Sequence, residues 1–256
     1  MWMANYDVVG NIAIVKFARG MKTREKKRIA EKILKEKKAV RTVLEKSDKF
    51  SGRLRTQKTR WLAGEKTKEA LYKENGCIFR LNVDSCYFSP RLASERLEVA
   101  KMVRKGEEVL VMFGGVAPFA IVIGKHSKAR RIVSVEIGRE CSKYALENVN
   151  RNKLRNVEIV QGDVRKKVPL LGKFDRIVMA RPNLKDSFLD VGFDAVKKGG
   201  VIHYYGFYPE SEQEEMLEMI HGEALEARRK IKILNVKRAG EIGTRKFRFR
   251  VDLRVN

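Results

Sequence analysis

The sequence predicts an α/β protein: a doubly wound parallel sheet preceded by a smaller, basic α+β domain. Three observations point there. From Ser89 onward, short apolar strands alternate with amphipathic helices, the pattern of a parallel sheet covered on both faces. Before Ser89 the chain is strand-rich, with a single clear helix. Throughout its 256 residues, 43% are hydrophobic and apolar runs recur, enough for packed cores and too much for a disordered tail.

Asn11–Phe17 alternates apolar and polar residues and reads as a strand. Thr23–Lys38 sets Ile29, Ala30, Ile33 and Leu34 on one helical face, with Lys and Arg elsewhere. Val40–Leu44 is a short strand, Leu54–Ala63 and Lys68–Tyr72 continue a meander, and Cys77–Val83 closes it. Helix Leu92–Val103 then leads to strand Glu108–Met112, helix Pro118–Lys125 to strand Arg131–Glu136, and helix Arg139–Asn150 to strand Val157–Gln161. Strand Phe174–Ala180, a helix over Asp186–Val196 and strand Gly200–Phe207 follow, then a long amphipathic helix over Glu210–Arg229. Two strands, Ile231–Lys237 and Lys246–Val255, end the chain, split by Ala239–Gly243. The expected division is residues 1–86 and 87–256.

Composition narrows the function. Lys and Arg outnumber Asp and Glu by 56 to 32, a net charge of +24. Thermal adaptation raises both signs together, whereas here one sign dominates, so the natural partner is a polyanion, most simply nucleic acid. Cys77, Cys86 and Cys141 are odd in number and lack a C-x-x-C spacing, so they read as buried thiols in a reducing, cytoplasmic compartment. No apolar run approaches the ~18 residues of a membrane span, and residues 1–10 do not form a signal peptide. Three His and three Cys never cluster, so no metal site is expected. His203, inside an apolar strand, reads as a hydrogen-bonded core histidine.

A cofactor site is legible after the first strand of the sheet. Glu108–Met112 runs into Phe113, Gly114, Gly115, Val116, Ala117 and Pro118, where small residues let a ligand approach the backbone at a helix N-terminus. Glu136, followed by Ile137, ends the next strand, where a carboxylate can accept both ribose hydroxyls of a nucleoside. Gly162, Asp163 and Val164 follow the third strand, with Asp163 suited to an adenine amino group. The plainer alternative is that Glu136 and Asp163 merely cap helices. A dinucleotide would call for a fuller Gly-x-Gly-x-x-Gly than a turn with Ala117 in a glycine-like place.

Tyr87-Phe-Ser-Pro-Arg-Leu-Ala-Ser-Glu-Arg96 matches, almost letter for letter, a motif of a known family. Gly52–Arg55, Gly64-Glu65, Glu74–Cys77, Phe113–Phe119, Glu136 and Gly199–Tyr205 support the match. The chain resembles the archaeal and eukaryotic tRNA (guanine-37-N1)-methyltransferases, whose close relatives are the wybutosine-pathway aminocarboxypropyl transferases. The resemblance implies a class I methyltransferase, Rossmann-like sheet ending in a strand pair, with S-adenosylmethionine as cofactor. It also implies a tRNA anticodon loop as partner, no membrane, and a monomer without an obligate protein partner. Larger family members begin with an extra domain that grips the tRNA elbow, and residue 1 here reads as the start of the second domain. Guanine N1 carries a proton at neutral pH, so methylation there requires a base and stabilisation of charge growing on O6. By the resemblance, Glu95 is the base and Arg55 the O6 contact, Arg91 and Arg96 are helpers that hold the motif, the cofactor carboxylate or a phosphate, and Tyr87 packs on cofactor or target base. Without the motif, Glu95 and Arg96 would read as an ordinary helix-surface charge pair.

Two positions depart from the family pattern. Val111 stands where the family has an Asp facing the cofactor, and Ala180 stands where the methyltransferases have the Asn of Asn-Leu-Pro, although Pro182 is kept. Arg181 is a partial substitute for the missing Asn. Guanine N1 methylation is the leading expectation, aminocarboxypropyl transfer the rival, and another RNA methylation target or a non-catalytic RNA-binding relative the remaining readings.

Overall fold

The structure is a computed structural model that describes residues 5–47, 52, 54, 56–180, 186–243 and 245–256. β1 (Asn5–Val9) and β2 (Ile12–Lys16) form an antiparallel hairpin. The helix α1 (Thr23–Glu36) crosses to β3 (Thr42–Lys46), parallel to β2, and β4 (Thr59–Gly64) returns antiparallel. α1 buries Ala30 and Ile33 against Ala13, Val15, Val43 and Leu62. Its Arg24, Lys27, Arg28, Lys32 and Lys35 face solvent, because 3.6-residue periodicity puts them off the apolar stripe. β1 was not expected, and the strand expected at Leu54 begins at Thr59.

β5 (Glu69–Glu74) and β6 (Cys77–Asn82) form a separate hairpin. Its two-residue turn, Asn75-Gly76, has positive φ at both positions, the geometry that matches strand twist and favours Asn-Gly. The remainder runs α2 (Ala93–Met102), β7 (Glu108–Met112), α3 (Pro118–His126), β8 (Arg131–Glu136), α4 (Arg139–Arg151), β9 (Val157–Gln161) and α5 (Val164–Lys167). It continues with β10 (Phe174–Met179), α6 (Leu189–Ala195), β11 (Val196–Pro209), α7 (Gln213–Glu226), β12 (Ile231–Gly243) and β13 (Lys246–Val255).

These strands form one seven-stranded sheet in the order β12-β13-β11-β10-β7-β8-β9. β7 to β11 are parallel, and the terminal hairpin adds β13 antiparallel to β11. β7 pairs with both β8 and β10, so the strand order reverses there and a crevice opens at the carboxyl ends of the two strands. Val99, Ala120 and Ala145 bring α2, α3 and α4 to one face. Val164, Leu189 and Met216 bring α5, α6 and α7 to the other. α4 also anchors the β5–β6 hairpin: Asn148 and Asn152 each accept from and donate to the backbone of Arg80 and Ile78, at 2.7–3.0 Å. Continued ladder pairing carries β12 through Ala239–Gly243, where a break was expected, and β11 begins earlier than the apolar run suggested.

One correction concerns the cysteines. Cys86 and Cys141 form a disulfide with their Cα atoms 5.5 Å apart, so they are not a pair of free buried thiols. Sequence spacing could not reveal this, because the fold brings together residues 55 apart. Cys77 does remain a buried thiol, and burial pushes its pKa up to about 11.

Candidate functional site

The crevice is built on the turn after β7. Phe113 and Ala117 adopt positive φ (61° and 65°), as does Gly115 (57°). At Gly114 a Cβ would lie 2.0 Å from Ser134 Oγ, so only glycine lets the turn lie against β8. Pro118 then opens α3 at its first turn, where a missing N–H costs nothing.

Glu136 closes the turn from the side. Its Oε2 accepts from Gly115 N–H at 2.8 Å and its Oε1 from Gly138 N–H at 2.7 Å. Each oxygen keeps a second lone pair, so the carboxylate can still accept two hydroxyls. Burial raises its pKa, and the N–H groups of Gly138, Gly115 and Ile137 offset that only in part.

The cavity at this turn is lined by Tyr87, Arg96, Phe113, Gly114, Gly115, Glu136 and Ile137, all expected from the sequence. Val116, Gly162, Asp163 and Val164 do not line it. Val116 is fully buried behind the turn, and Asp163 caps α5 by accepting from Arg165 N–H at 2.9 Å. Gly162 N–H donates to the Glu136 carbonyl at 2.8 Å, so this loop braces Glu136 from behind. Val111 and Ala180 line the cavity too, placing apolar groups where the family pattern carries Asp and Asn.

The Tyr87–Arg96 segment folds over the cavity and is fastened inside. Arg96 is 1% exposed, with Nε 2.5 Å from Glu74 and Nη2 3.1 Å from the Ser89 carbonyl, while its guanidinium lies over the Phe88 ring. These contacts tie Arg96 to β5 and to the motif's own backbone. Arg91 does not reach the cavity. It is exposed in the groove between the N-terminal sheet and the motif, and pairs with Asp7 at 2.6 Å. This corrects its expected place beside the reacting atoms: the 3₁₀ turn Pro90–Leu92 points it toward the N-terminal sheet. Arg55, Arg181 and Pro182 lie outside the described residues.

Glu95 lies behind the cavity wall rather than in it. It is 5% exposed, and its Oε1 accepts from Tyr205 O–H at 2.8 Å and from Arg250 Nη1 at 2.6 Å. Its Oε2 lies 3.5 Å from Lys237 Nζ. Tyr205 itself lines the cavity and stacks at a tilt on Phe119. Arg250 also donates to the half-buried Glu98 at 2.8 Å, and its Nε lies 2.9 Å from Asp252 without a hydrogen bond. Asp252 accepts from His203 Nδ1 at 2.6 Å, and Arg176 donates to His203 Nε2 at 2.8 Å. These contacts fix His203 as a neutral ring protonated at Nδ1, in keeping with its expected core role. Burial lowers its pKa despite the Asp252 hydrogen bond.

Sequence reasoning missed Tyr205, Phe207, Arg248 and Arg250. All lie on β11 or β13, where the register sets Tyr205 opposite Arg250 and Phe207 opposite Arg248. Arg248 stacks on Phe207 with its guanidinium carbon 5.2 Å from the ring centre, and both side chains border the cavity and the interdomain groove. In sequence, alternating Arg and apolar residues signalled only a half-exposed strand.

Among the described residues, no group of three or more His, Cys, Asp or Glu could hold a metal, and no helix is long and apolar enough to cross a membrane.

Known proteins share this fold. Trm5b of Pyrococcus abyssi, a tRNA (guanine(37)-N(1))-methyltransferase, is 37% identical over 98% of this chain and 75% of its own length. The crystal structure of Pyrococcus abyssi Trm5b superposes with a TM-score of 0.88 at 36% identity, covering 98% of this chain and 74% of that one. Taw22 of Nanoarchaeum equitans, a tRNA (guanine(37)-N(1))/4-demethylwyosine(37)-methyltransferase, is 33% identical over 97% of this chain and 99% of its own. Pyrococcus horikoshii TYW2, solved with MeSAdo, superposes with a TM-score of 0.84 at 25% identity, covering 98% of this chain and 90% of that one. The TYW2 N-terminal domain model matches residues 2–67, and the TRM5/TYW2 methyltransferase domain model matches residues 70–234. With the β7 turn, the Tyr87–Arg96 fold-over and most of the chain matched together, this protein belongs to the TRM5/TYW2 methyltransferase family.

Proposed function

We propose that this protein is an S-adenosylmethionine-dependent tRNA methyltransferase acting on N1 of guanine 37 in the anticodon loop. One observation carries the reading. The cavity at the switch point opens past Tyr87, Phe88, Phe207 and Arg248 into the groove beside the N-terminal sheet, so a nucleoside-sized pocket and an RNA-accessible groove share one mouth. The relatives' names support the substrate. Residues 1–86 hold RNA and residues 87–256 carry the chemistry, in a cytoplasmic monomer.

The cavity fits the cofactor. Glu136 offers acceptors for the ribose hydroxyls, Gly114 and Gly115 admit close approach, and Val111, Phe113 and Ile137 supply apolar walls. When bound, S-adenosylmethionine supplies a methyl made electrophilic by its sulfonium. The chain's part is to hold the guanine and take its N1 proton. Glu95 is the proposed base: Tyr205 and Arg250 hold its Oε1 behind the cavity wall, and Tyr205, which lines the cavity, connects it to the bound guanine. Arg248, stacked on Phe207 at the mouth, provides positive charge for the RNA backbone. Arg55 is the proposed partner of guanine O6 and Pro182 of the target base.

Ala180 favours a second reading, aminocarboxypropyl transfer from the same cofactor, because the cavity wall there is a methyl group. One experiment separates the two. The protein is incubated with S-adenosylmethionine and unmodified tRNA, and the digested nucleosides are weighed. One methyl gained on guanosine supports the first reading. An aminocarboxypropyl group gained only on a tricyclic precursor supports the second.

A further inference from the structure

Phe207 stands near the carboxyl end of β11 and is half-buried. It lines both the cavity at the β7 turn and the groove beside the N-terminal sheet, so it borders the mouth that the two spaces share. β10 pairs with β11 up to Met179 and Tyr204, and Phe207 lies three residues, about 10 Å, further along the strand. β11 is also three strands from β8, which carries Glu136, a separation of about 14 Å. Phe207 thus sits on the groove side of the cavity, away from Glu136.

Its neighbours set it apart from the other rings of that cavity. Phe88 packs on Tyr72 and Phe79, Phe113 meets Phe188, and Phe119 meets Tyr205. Among the described residues, Phe207 has no aromatic partner. Instead Arg248 covers one side of it, with the guanidinium carbon 5.2 Å from the ring centre and Nη2 3.4 Å from the Tyr87 hydroxyl. Arg248 is only 8% exposed, so this backing is held in place by its surroundings. The groove beyond carries Lys16, Lys46 and Arg91 against Asp7 and Glu241, an excess of positive charge suited to phosphates. Splayed RNA bases are held by stacking on aromatic rings, and a cation beside the ring adds to the attraction.

We propose that Phe207 is a substrate-positioning residue: the target base, flipped out of the anticodon loop, stacks on its ring, and Arg248 braces the ring from the other side. Stacking uses the π face that every base has. Phe207 therefore holds the base while leaving its hydrogen-bonding edge, N1 included, free for readout and reaction. The inference rests on the reading that an anticodon-loop nucleotide is the substrate.

The test is a cycle of protein and RNA changes, read in dissociation constants with S-adenosylhomocysteine present. Wild type, Phe207→Leu, Phe207→Met and Phe207→Tyr are titrated with anticodon stem-loops carrying guanosine, adenosine or an abasic nucleotide at the target position. Leu and Met each remove the ring but keep an apolar side chain, so the result does not hang on the folding of one variant. Wild type is expected to bind the guanosine stem-loop about 5- to 150-fold more tightly than the abasic one. Phe207→Tyr keeps this preference, whereas Leu and Met lose most of it. The part that depends on Phe207 is expected to be the same for adenosine as for guanosine. An undiminished preference in the Leu and Met variants, equal weakening of all three RNAs, a Phe207 effect confined to guanosine, or no preference in wild type overturns the proposal. If wild type shows the preference yet transfers no group to tRNA, the function reading fails and the stacking inference stands.

Discussion

Replacing Arg250 with Met removes the side chain that links Glu95, Glu98 and Asp252. Arg250 is completely buried, 2.6 Å from Glu95, 2.8 Å from Glu98 and 2.9 Å from Asp252. Burial works against its charge, but the Glu98 hydrogen bond and the charges of Asp252 and Glu95 outweigh that and hold its pKa above the ordinary arginine value. Met fills much of the same volume, so the loss is mainly electrostatic. Breaking a buried pair costs about 3–5 kcal/mol, because Glu95 and Asp252, the buried carboxylates left behind, stay desolvated. Lys237 near Glu95 and His203 on Asp252 keep the cost within that range rather than three times it. At about 2–4 °C per kcal/mol for a chain of this size, the melting temperature falls by about 6–20 °C. Calorimetry and urea unfolding measure this directly. In Arg250→Met/Glu95→Gln the neutral amide removes part of the penalty, so the double variant loses less than the sum of the singles. A single variant within 1 kcal/mol of wild type, or strict additivity, would refute the argument.

Other measurements follow from the same contacts. Glu95→Gln is expected to slow methyl transfer by about 10²-fold or more while adenosine-cofactor affinity stays nearly unchanged, and turnover within a few-fold of wild type removes Glu95 as the base. His203 has a lowered folded-state pKa against an ordinary 6.5, so the folded protein binds fewer protons than the unfolded chain. Its contribution is complete above 6.5 and declines as pH falls through and below that value, so His203→Asn flattens the stability slope between pH 6.5 and about 5; an unchanged slope contradicts this. The disulfide closes a separation of 55 residues, so Cys86→Ser is expected to cost about 4 kcal/mol. The unreduced, denatured wild type then exposes Cys77 as its one titratable thiol, and three thiols would deny the bridge. Affinity for tRNA is expected to drop about tenfold or more between 50 and 200 mM salt, and a flat response rules out phosphate contacts from α1 and the groove.

Much of the site was legible because its parts are local. The β7 turn declares itself through Gly114 and Gly115 after an apolar strand, and Glu136 through its place at the next strand end. Both expectations depend only on strand-to-helix geometry, and both residues line the cavity. Asp163 obeys the same local rule yet caps α5, because which strand-end residues reach a cavity is set by neighbouring elements and not by position on one strand. Arg91 likewise sits in the matched motif, but a 3₁₀ turn sends it to Asp7.

By itself the sequence determined the sheet and its helices, the phosphate-seeking charge and the cofactor turn, since these follow from periodicity, composition and short-range sterics. Only the tertiary structure decided what the alternating Arg248, Arg250 and Asp252 of β13 do. Alternation establishes that they share one face of a strand, and usually that face meets water. Here α2 covers it, and the register with β11 places His203, Tyr205 and Phe207 opposite them. Arg250 thereby becomes the buried support of Glu95, because which face of a strand is buried is set by what packs on it and not by the strand's own pattern.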